Sequence, residues 1–443
     1  MKTKLILFVA LLTTIVSFSQ KKWTLKECVD QALNKNISIQ QNKLSLDIAK
    51  TDLKSSRGNF LPSVSASTGG NLSAGSNFDP VTNNRSASTT FFGGNVGLNA
   101  GITVFNGFRN LNLYKQAKLG IETSKLDLQK IENDVSLFVV NGYLNVLFAK
   151  ENLEVSKVQA AISKKQIQAA KDRFEAGTIA KGELLNFKST AANDLQSVIT
   201  QENALDLAIL NLAQLLQVPS NNFDVAPVNV DLPSADLLYK NSNSVYEKSL
   251  TKMPEIQRAE LAIDNATLDI EISKSNYLPT VTSSIFANTN YSYIIKPTGF
   301  PTGDFLDQLD GNLGYGLGFN INIPIFNGFK TDANVKRSKI NKEIFETRLE
   351  SEKLNLKQTI EQAFLDVKSS LKAYQAARIS LTAQQEAFKN AQERYNYGVM
   401  TLFDFDLVRT RLVNAEGAMI RSKYDYVFKT KVLQFYSGEL ILE

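Results

Sequence analysis

The chain has 443 residues, a formal net charge of +5 and no histidine. Without histidine there is no imidazole acid–base catalysis, no Ser-His-Asp triad and no His-containing metal site. A charge this small, near +3 once Lys2 and Lys4 are set aside, makes no electrostatic case for nucleic acid, and the single Cys28 excludes an internal disulfide.

Residues 1–19 read as an export signal. Lys2 and Lys4 precede an apolar run from Leu5 to Val16, and Ser17-Phe18-Ser19 has the small-x-small spacing of a cleavage site. The run is shorter than a spanning helix requires. A mature chain opening at Gln20 or Lys21 has no N-terminal cysteine for a lipid anchor. No later stretch reaches the roughly 18 consecutive apolar residues of a membrane helix, so a membrane crossing has to be made by strands.

Leu25 to Arg57 carries Ala32, Leu33, Ile37, Leu44, Ile48 and Leu53 at helical spacing, and Gly58 ends it ahead of Pro62. A strand is expected over 62–75, a loop over 75–85 and a second strand over 92–106. In the second strand Val96, Leu98, Ala100, Ile102 and Val104 alternate with Asn95, Gly97, Asn99, Gly101 and Thr103, the period-two mark of a strand with two unlike faces. From Phe108 to Ala176 there is no proline, and Leu128, Ile131, Val135, Phe138 and Gly142 step by three and four as a coiled-coil-like seam. A helix of that length would span roughly 100 Å. A break at Ala176-Gly177-Thr178 and a second long helix from Glu183 to Gln217 complete a helical hairpin over 108–217.

Residues 218–243, with Pro219, Pro227 and Pro233, form a linker, and the programme then repeats. A helix over Ser244 to Ser275 leads to strands over 279–293 and 312–327 and to a helical hairpin over 329–436. The phrase Ile102-Thr103-Val104-Phe105-Asn106-Gly107-Phe108-Arg109 returns as Ile323-Pro324-Ile325-Phe326-Asn327-Gly328-Phe329-Lys330. Each copy sits where a strand becomes a helix, so the chain reads as two structural repeats, 20–217 and 244–443, joined by the 218–243 linker.

Four strands of roughly 11 residues match a tilted bilayer crossing, with Val, Leu, Ile, Phe or Tyr on one face and Gly, Asn or Thr on the other. The competing reading is a soluble sandwich, which wants more strands. Phe60, Phe105, Phe108, Tyr277, Phe326 and Phe329 cluster at the strand ends as a membrane-interface girdle, and Phe91, Phe92, Tyr291 and Tyr293 form another at the far ends. Four strands cannot close a barrel in lipid, so copies must share one. Two copies supply about eight strands and three about twelve, and the small polar inner face favours three.

The paired Leu-Pro strand starts at Pro62 and Pro279, the paired Phe-Asn-Gly strand ends and the paired tip glycines Gly177 and Gly398 resemble the TolC-type outer membrane efflux proteins over essentially the whole mature chain. The resemblance implies a homotrimer with a 12-stranded transmembrane β-barrel in the outer membrane and a long α-helical tunnel, a periplasmic α-barrel, crossing the periplasm. It implies a passive exit duct in a tripartite efflux or type I secretion system. The partners would be a periplasmic adaptor and an inner-membrane RND or ABC pump. No cofactor, metal or catalytic residue is implied. It also implies a narrowing ring of carboxylates at the periplasmic entrance, falling here on Asp404, with Glu183 as its counterpart in the first half. A second family aspartate falls on Leu407, with Asp406 adjacent as the alternative. Ordinary helix-start carboxylates are the competing reading of all three. The tips Gly177, Thr178, Gly398 and Val399 are where the adaptor would dock. A secreted adhesive coiled-coil protein is the alternative function; it leaves the duplicated strand pairs unexplained.

Overall fold

The computed structural model describes residues 22–76, 78–79, 83–85, 89–227, 239–295 and 303–439. The expected export signal, the middle of the 218–243 linker with Pro233, and the loop prolines Pro297 and Pro301 lie outside these residues. Two compact units emerge. One comprises the described residues within 1–44, 126–257 and 350–443, and the other those within 45–125 and 258–349.

The second unit is built on four antiparallel strands. These are β2 (Ser63–Gly75), β5 (Thr89–Asn106), β7 (Thr280–Ile294) and β8 (Gly314–Asn322), in the order β2-β5-β7-β8. Two short strands, β3 (Phe78–Asp79) and β4 (Asn84–Arg85), pair with each other in the loop between β2 and β5. The last strand ends at Asn322, five residues short of the expected boundary, where Pro324 follows without an N–H to give to a ladder. Val64 lies opposite Ala100, Ala100 opposite Ile285, and Val281 opposite Ile321. Cross-strand partners share a face, so these residues form one apolar side of the sheet. Leu98, Ile285, Leu317 and Ile321 on that side are all exposed within one chain.

The alternation expected through Val104 is interrupted. Thr103 pairs with Thr282 but Phe105 pairs with Val281, leaving Val104 as the extra residue of a bulge. Because side chains alternate with period two, the bulge turns Phe105 onto the apolar face that Val281 shares. Phe91 goes the other way: it pairs with Ser73 and so lies on the polar face, apart from Phe92 and Tyr293.

The first unit is mainly helical, and the second also carries helical segments. The helix expected over Leu25 to Arg57 is two helices, α1 (Leu25–Lys35) and α2 (Ile37–Gly58). Asn36 breaks it with ψ 130°, and its side-chain oxygen accepts from Ser38 N at 2.9 Å to start the next helix. Thr24 and Glu27 form a reciprocal capping box at the head of α1. The long helices are α3 (Arg109–Glu175), α4 (Lys181–Leu216), α8 (Lys330–Asn396) and α9 (Leu402–Ser437). The segment expected as one helix over 244–275 is α5 (Ser242–Leu250) and α6 (Pro254–Lys274), with Pro254 at the first helical position where no donor is missed. A short helix, α7 (Phe305–Gly311), precedes β8.

Val135, Val139, Val140, Tyr143, Leu212 and Leu216 centre the core of this unit. Phe138, expected on the seam, is 61 % exposed; the buried stripe runs through Val139 and Tyr143 instead. A two-residue parallel ladder, β1 (Lys22–Trp23) with β6 (Asp224–Val225), lies against this core. The Tyr143 hydroxyl sits 2.6 Å from the Ala226 carbonyl and 3.1 Å from that of Trp23, bridging the two strands, and burial pushes its pKa up. On the other hairpin, Ile360, Val367, Leu371 and Tyr374 are buried and Phe364 is half-buried, with Tyr374 stacked on Tyr426 at 6.3 Å.

Cys28 is fully buried in the first core, and burial pushes its thiol up to about 12. Thiolate is the reacting species. A thiol reagent at about pH 8 is therefore expected to leave the native chain unlabelled and to label it fully after denaturation; labelling at equal rates in both states would contradict this placement.

Candidate functional site

The two strand-to-helix joins share one geometry. Gly107 and Phe108 have φ of 64° and 66°, and Gly328 and Phe329 both have 64°. Two successive left-handed residues turn the chain from extended backbone into helix. The first is glycine, which enters that region freely. The second is phenylalanine, which does not, at a cost of about 1–2 kcal/mol. An edge-on ring contact accompanies each strained residue: Phe108 meets Phe105 at 5.3 Å and Phe329 meets Phe326 at 5.5 Å. The asparagines lock the turn from inside. Asn106 accepts from Asn110 N at 3.2 Å and donates to the Asn110 side chain at 2.8 Å, and Asn327 donates to Thr331 Oγ1. Among the expected girdle residues Phe60, Phe108, Tyr277, Phe326 and Phe329 are exposed and Phe105 is half-buried. Phe60 packs edge-on against Tyr114 at 6.4 Å.

The hairpin tips are likewise alike in backbone. Gly177 and Gly398 both have φ 72° with nothing within 4 Å of an added Cβ, so conformation alone asks for glycine there. Gly177 N donates to Phe174 O and Thr178 N to Arg173 O, each at 2.9 Å; Gly398 N and Val399 N repeat this with Tyr395 O and Arg394 O. This double bond is the Schellman ending of a helix. Thr178 and Val399 are exposed just beyond it.

The carboxylates differ where the backbones agree. Asp404 is exposed, and its carboxylate accepts from Thr401 Oγ1 at 2.7 Å while its own N–H donates to that oxygen at 3.2 Å. It thus fastens the start of its own helix. In the first hairpin Ala180 occupies the cap position and offers no side-chain bond, leaving Glu183 to reach elsewhere. Tyr395 Oη, from the other hairpin, donates to Glu183 Oε1 at 2.6 Å. Burial raises the Tyr395 hydroxyl, the Glu183 bond adds to this, and the Arg173 guanidinium, 5.3 Å over the ring, opposes it. Phe405 and Phe187 close around the same ring.

Asp406 is half-buried. Burial raises its carboxyl first, Arg409 counters, and Asp194 adds to the rise. Arg409 itself is buried. One of its nitrogens donates to both Asp194 oxygens at 2.8 and 2.7 Å, another to Ser163 Oγ at 2.9 Å, and Ser163 also bonds Asp194. This cluster joins α3, α4 and α9. Sequence reasoning missed it and Tyr395, because the partners lie hundreds of residues apart and none has a local signature. Arg409 does fall on the apolar stripe of α9 between Phe405 and Leu412, and a charge in such a stripe is a signal of a buried partner.

Among the described residues no helix is long and apolar enough to cross a membrane, and no group of three or more His, Cys, Asp or Glu is placed to hold a metal. The chain is similar to the outer membrane protein TolC of Escherichia coli K12, with 24 % identity over 374 residues covering 78 % of this chain and 74 % of that one. It is 20 % identical over 419 residues to the outer membrane efflux protein BepC of Brucella suis, covering 94 % and 86 %. Its fold is that of the Campylobacter jejuni CmeC outer membrane channel, with a TM-score of 0.78 at 19 % identity over 95 % of this chain and 87 % of that one. The family model described as outer membrane efflux protein matches residues 28–217 and 245–439, and the chain belongs to that family.

Proposed function

We propose that this chain is the outer-membrane exit duct of a tripartite efflux or type I secretion system, a passive trans-periplasmic channel and not an enzyme. Its sheet lies in the outer membrane and its helical part in the periplasm, where an adaptor joins it to an inner-membrane RND or ABC pump. The observation that carries this reading is the four-stranded sheet itself. Leu98, Ile285, Leu317 and Ile321 on its apolar face are exposed, and among the described residues its edge strands β2 and β8 pair with no strand beyond β5 and β7. In hydrocarbon each unpaired backbone group costs several kcal/mol, so the edges must be met by other copies. A secreted adhesive coiled coil leaves both features without a purpose.

Three copies close a 12-stranded barrel in this reading, and the register of the join follows from the internal repeat over 20–217 and 244–443, with 218–243 between. Matching Leu61-Pro62 to Leu278-Pro279 and Ile102 to Ile323 carries the Val64–Ala100 pair onto Val281–Ile321, which are themselves opposite each other. The same matching carries Ala100–Ile285 onto Ile321 and Thr68. Ile321 therefore faces Thr68 of the neighbouring copy. The double variant Thr68→Cys/Ile321→Cys is expected to form a trimer ladder on non-reducing gels, because opposed strand residues stand within disulfide reach. Val64→Cys/Ile321→Cys, displaced along the strand, is the control. No ladder with the first pair, or equal ladders with both, would overturn the register.

Phe60, Phe105, Phe108, Tyr277, Phe326 and Phe329 form the periplasmic-side girdle, at the level where rings favour the headgroups. Repeated about a threefold axis, Glu183, Asp404 and Asp406 make the entrance acidic. Gly177, Thr178, Gly398 and Val399 present the docking surface for the adaptor.

A further inference from the structure

On the polar face of the sheet, side chains line up in cross-strand rows. Ser65, Asn99, Phe286 and Gly316 form one row. On β7 the same face carries Ser284 and Asn288 to either side of Phe286. None of the four main strands contains a charged residue. Through the middle of this face, then, the wall is hydroxyl, amide and bare backbone, interrupted by one phenyl ring that is 39 % exposed.

The residue opposite the ring explains how it is held. A Cβ on Gly316 would stand 2.6 Å from Phe286 Cζ and 3.0 Å from Cε1. The ring therefore lies across the backbone of β8, over the space a side chain would fill. Gly316 sits in the strand without positive φ, so backbone conformation does not require glycine there; the ring does. Rings cover glycines on the other face as well, Phe92 over Gly70 and Tyr291 over Gly94. Those rings belong to the side turned to lipid. Phe286 is turned to water, where its exposure gains nothing from a solvent that cannot stack with it.

We infer that Phe286, bedded on Gly316, is an aromatic contact point for apolar or aromatic cargo in the exit lumen and sets the bore at its level. The inference rests on the barrel reading above, in which three copies bring three such rings to one height. Apart from Phe91 at the far end of the same face, apolar solute meets a ring there and hydrogen-bonding groups or bare backbone through the rest of the middle of the wall, with no charge to select by sign.

The test uses the purified trimer in planar bilayers, with ethidium as a planar aromatic blocker and tetramethylammonium as the non-aromatic control cation. Phe286→Ser is expected to weaken ethidium block about two- to tenfold, the size of one ring–ring contact, and to leave tetramethylammonium unchanged. Phe286→Tyr should keep the block. Gly316→Val should lift the ring toward the axis and lower conductance, and Gly316→Val/Phe286→Ser should restore it. Ethidium block unchanged in Phe286→Ser overturns the contact, whether or not Gly316→Val assembles. A loss of conductance in Gly316→Val that Phe286→Ser fails to reverse overturns the bore claim. A wild-type trimer that forms no channel overturns the duct reading itself, and a wild type that conducts while every variant matches it overturns only the role of Phe286.

Discussion

Arg409→Ala is expected to destabilise the helical unit by about 3–5 kcal/mol, the cost of stranding one member of a buried ion pair. Its side chain is 8 % exposed and that of Asp194 is 17 % exposed, so little water reaches the pair to screen it or to replace the lost donor. The variant removes two contacts to the Asp194 carboxylate and the bond to Ser163 Oγ. What remains is an anion in a nearly closed site, with the half-buried Asp406 beside it. Arg409→Lys should recover only part of the loss, because a point charge cannot reproduce the guanidinium's spread of donors. Replacing the whole cluster with apolar residues of similar volume should be far milder than removing Arg409 alone, since no charge is left behind. The readout is the temperature at which the SDS-resistant oligomer dissociates, with limited proteolysis of the hairpins as a second measure. An Arg409→Ala protein as stable as wild type would mean that the cluster is solvated and not structural.

Gly107→Ala and Gly328→Ala are expected to differ sharply although the two glycines have the same φ. At both, a left-handed alanine costs about 1–2 kcal/mol. At Gly107 the new Cβ would also lie 2.6 Å from the carbonyl oxygen of Ser275 and 2.9 Å from Leu278 Cβ, where the turn leads into β7. A backbone oxygen that close must move, and Ser275 is buried, so the start of β7 moves with it. Nothing stands within 4 Å of Gly328 in one chain. In the proposed barrel, Gly58 and Leu61 of the neighbouring copy take the places of Ser275 and Leu278. Gly107→Ala should therefore reduce the yield of folded monomer and trimer alike, whereas Gly328→Ala should spare the monomer and impair assembly. Equal losses at both positions, at the monomer stage, would contradict this account.

Much of the architecture was legible because it rests on local rules. Strand side chains alternate whatever surrounds them, so Val96 to Ile102 could be sorted into two faces from spacing alone. A helix that ends in a left-handed residue wants glycine, so Gly177 and Gly398 announced the tips before any contact was known. Proline and glycine bounded the strand starts in the same way. Boundaries were less legible where two rules compete. Asn36 splits a stretch whose apolar spacing runs straight through it, since its side chain can start a helix as readily as sit inside one. Pro324 closes β8 before the apolar alternation ends.

The rest was decided by tertiary structure. The bulge at Val104 is a matter of which residue β7 presents opposite, and one unpaired residue turns Phe105 to the other face. Phe108 and Phe329 adopt a conformation their own chemistry disfavours, so no propensity could have announced it; the strand-to-helix turn imposes it, with a ring contact at each. Glu183 and Asp404 occupy matching positions in the sequence, yet one bonds Tyr395 across to the other hairpin and the other caps its own helix, because Thr401 supplies a hydroxyl where Ala180 has none. Period and cap are properties of a few neighbouring residues, and the sequence by itself determined them: the two strand faces and the helix-ending turns. Register, strain and long-range pairing depend on which distant segments meet, and the tertiary structure alone decided those.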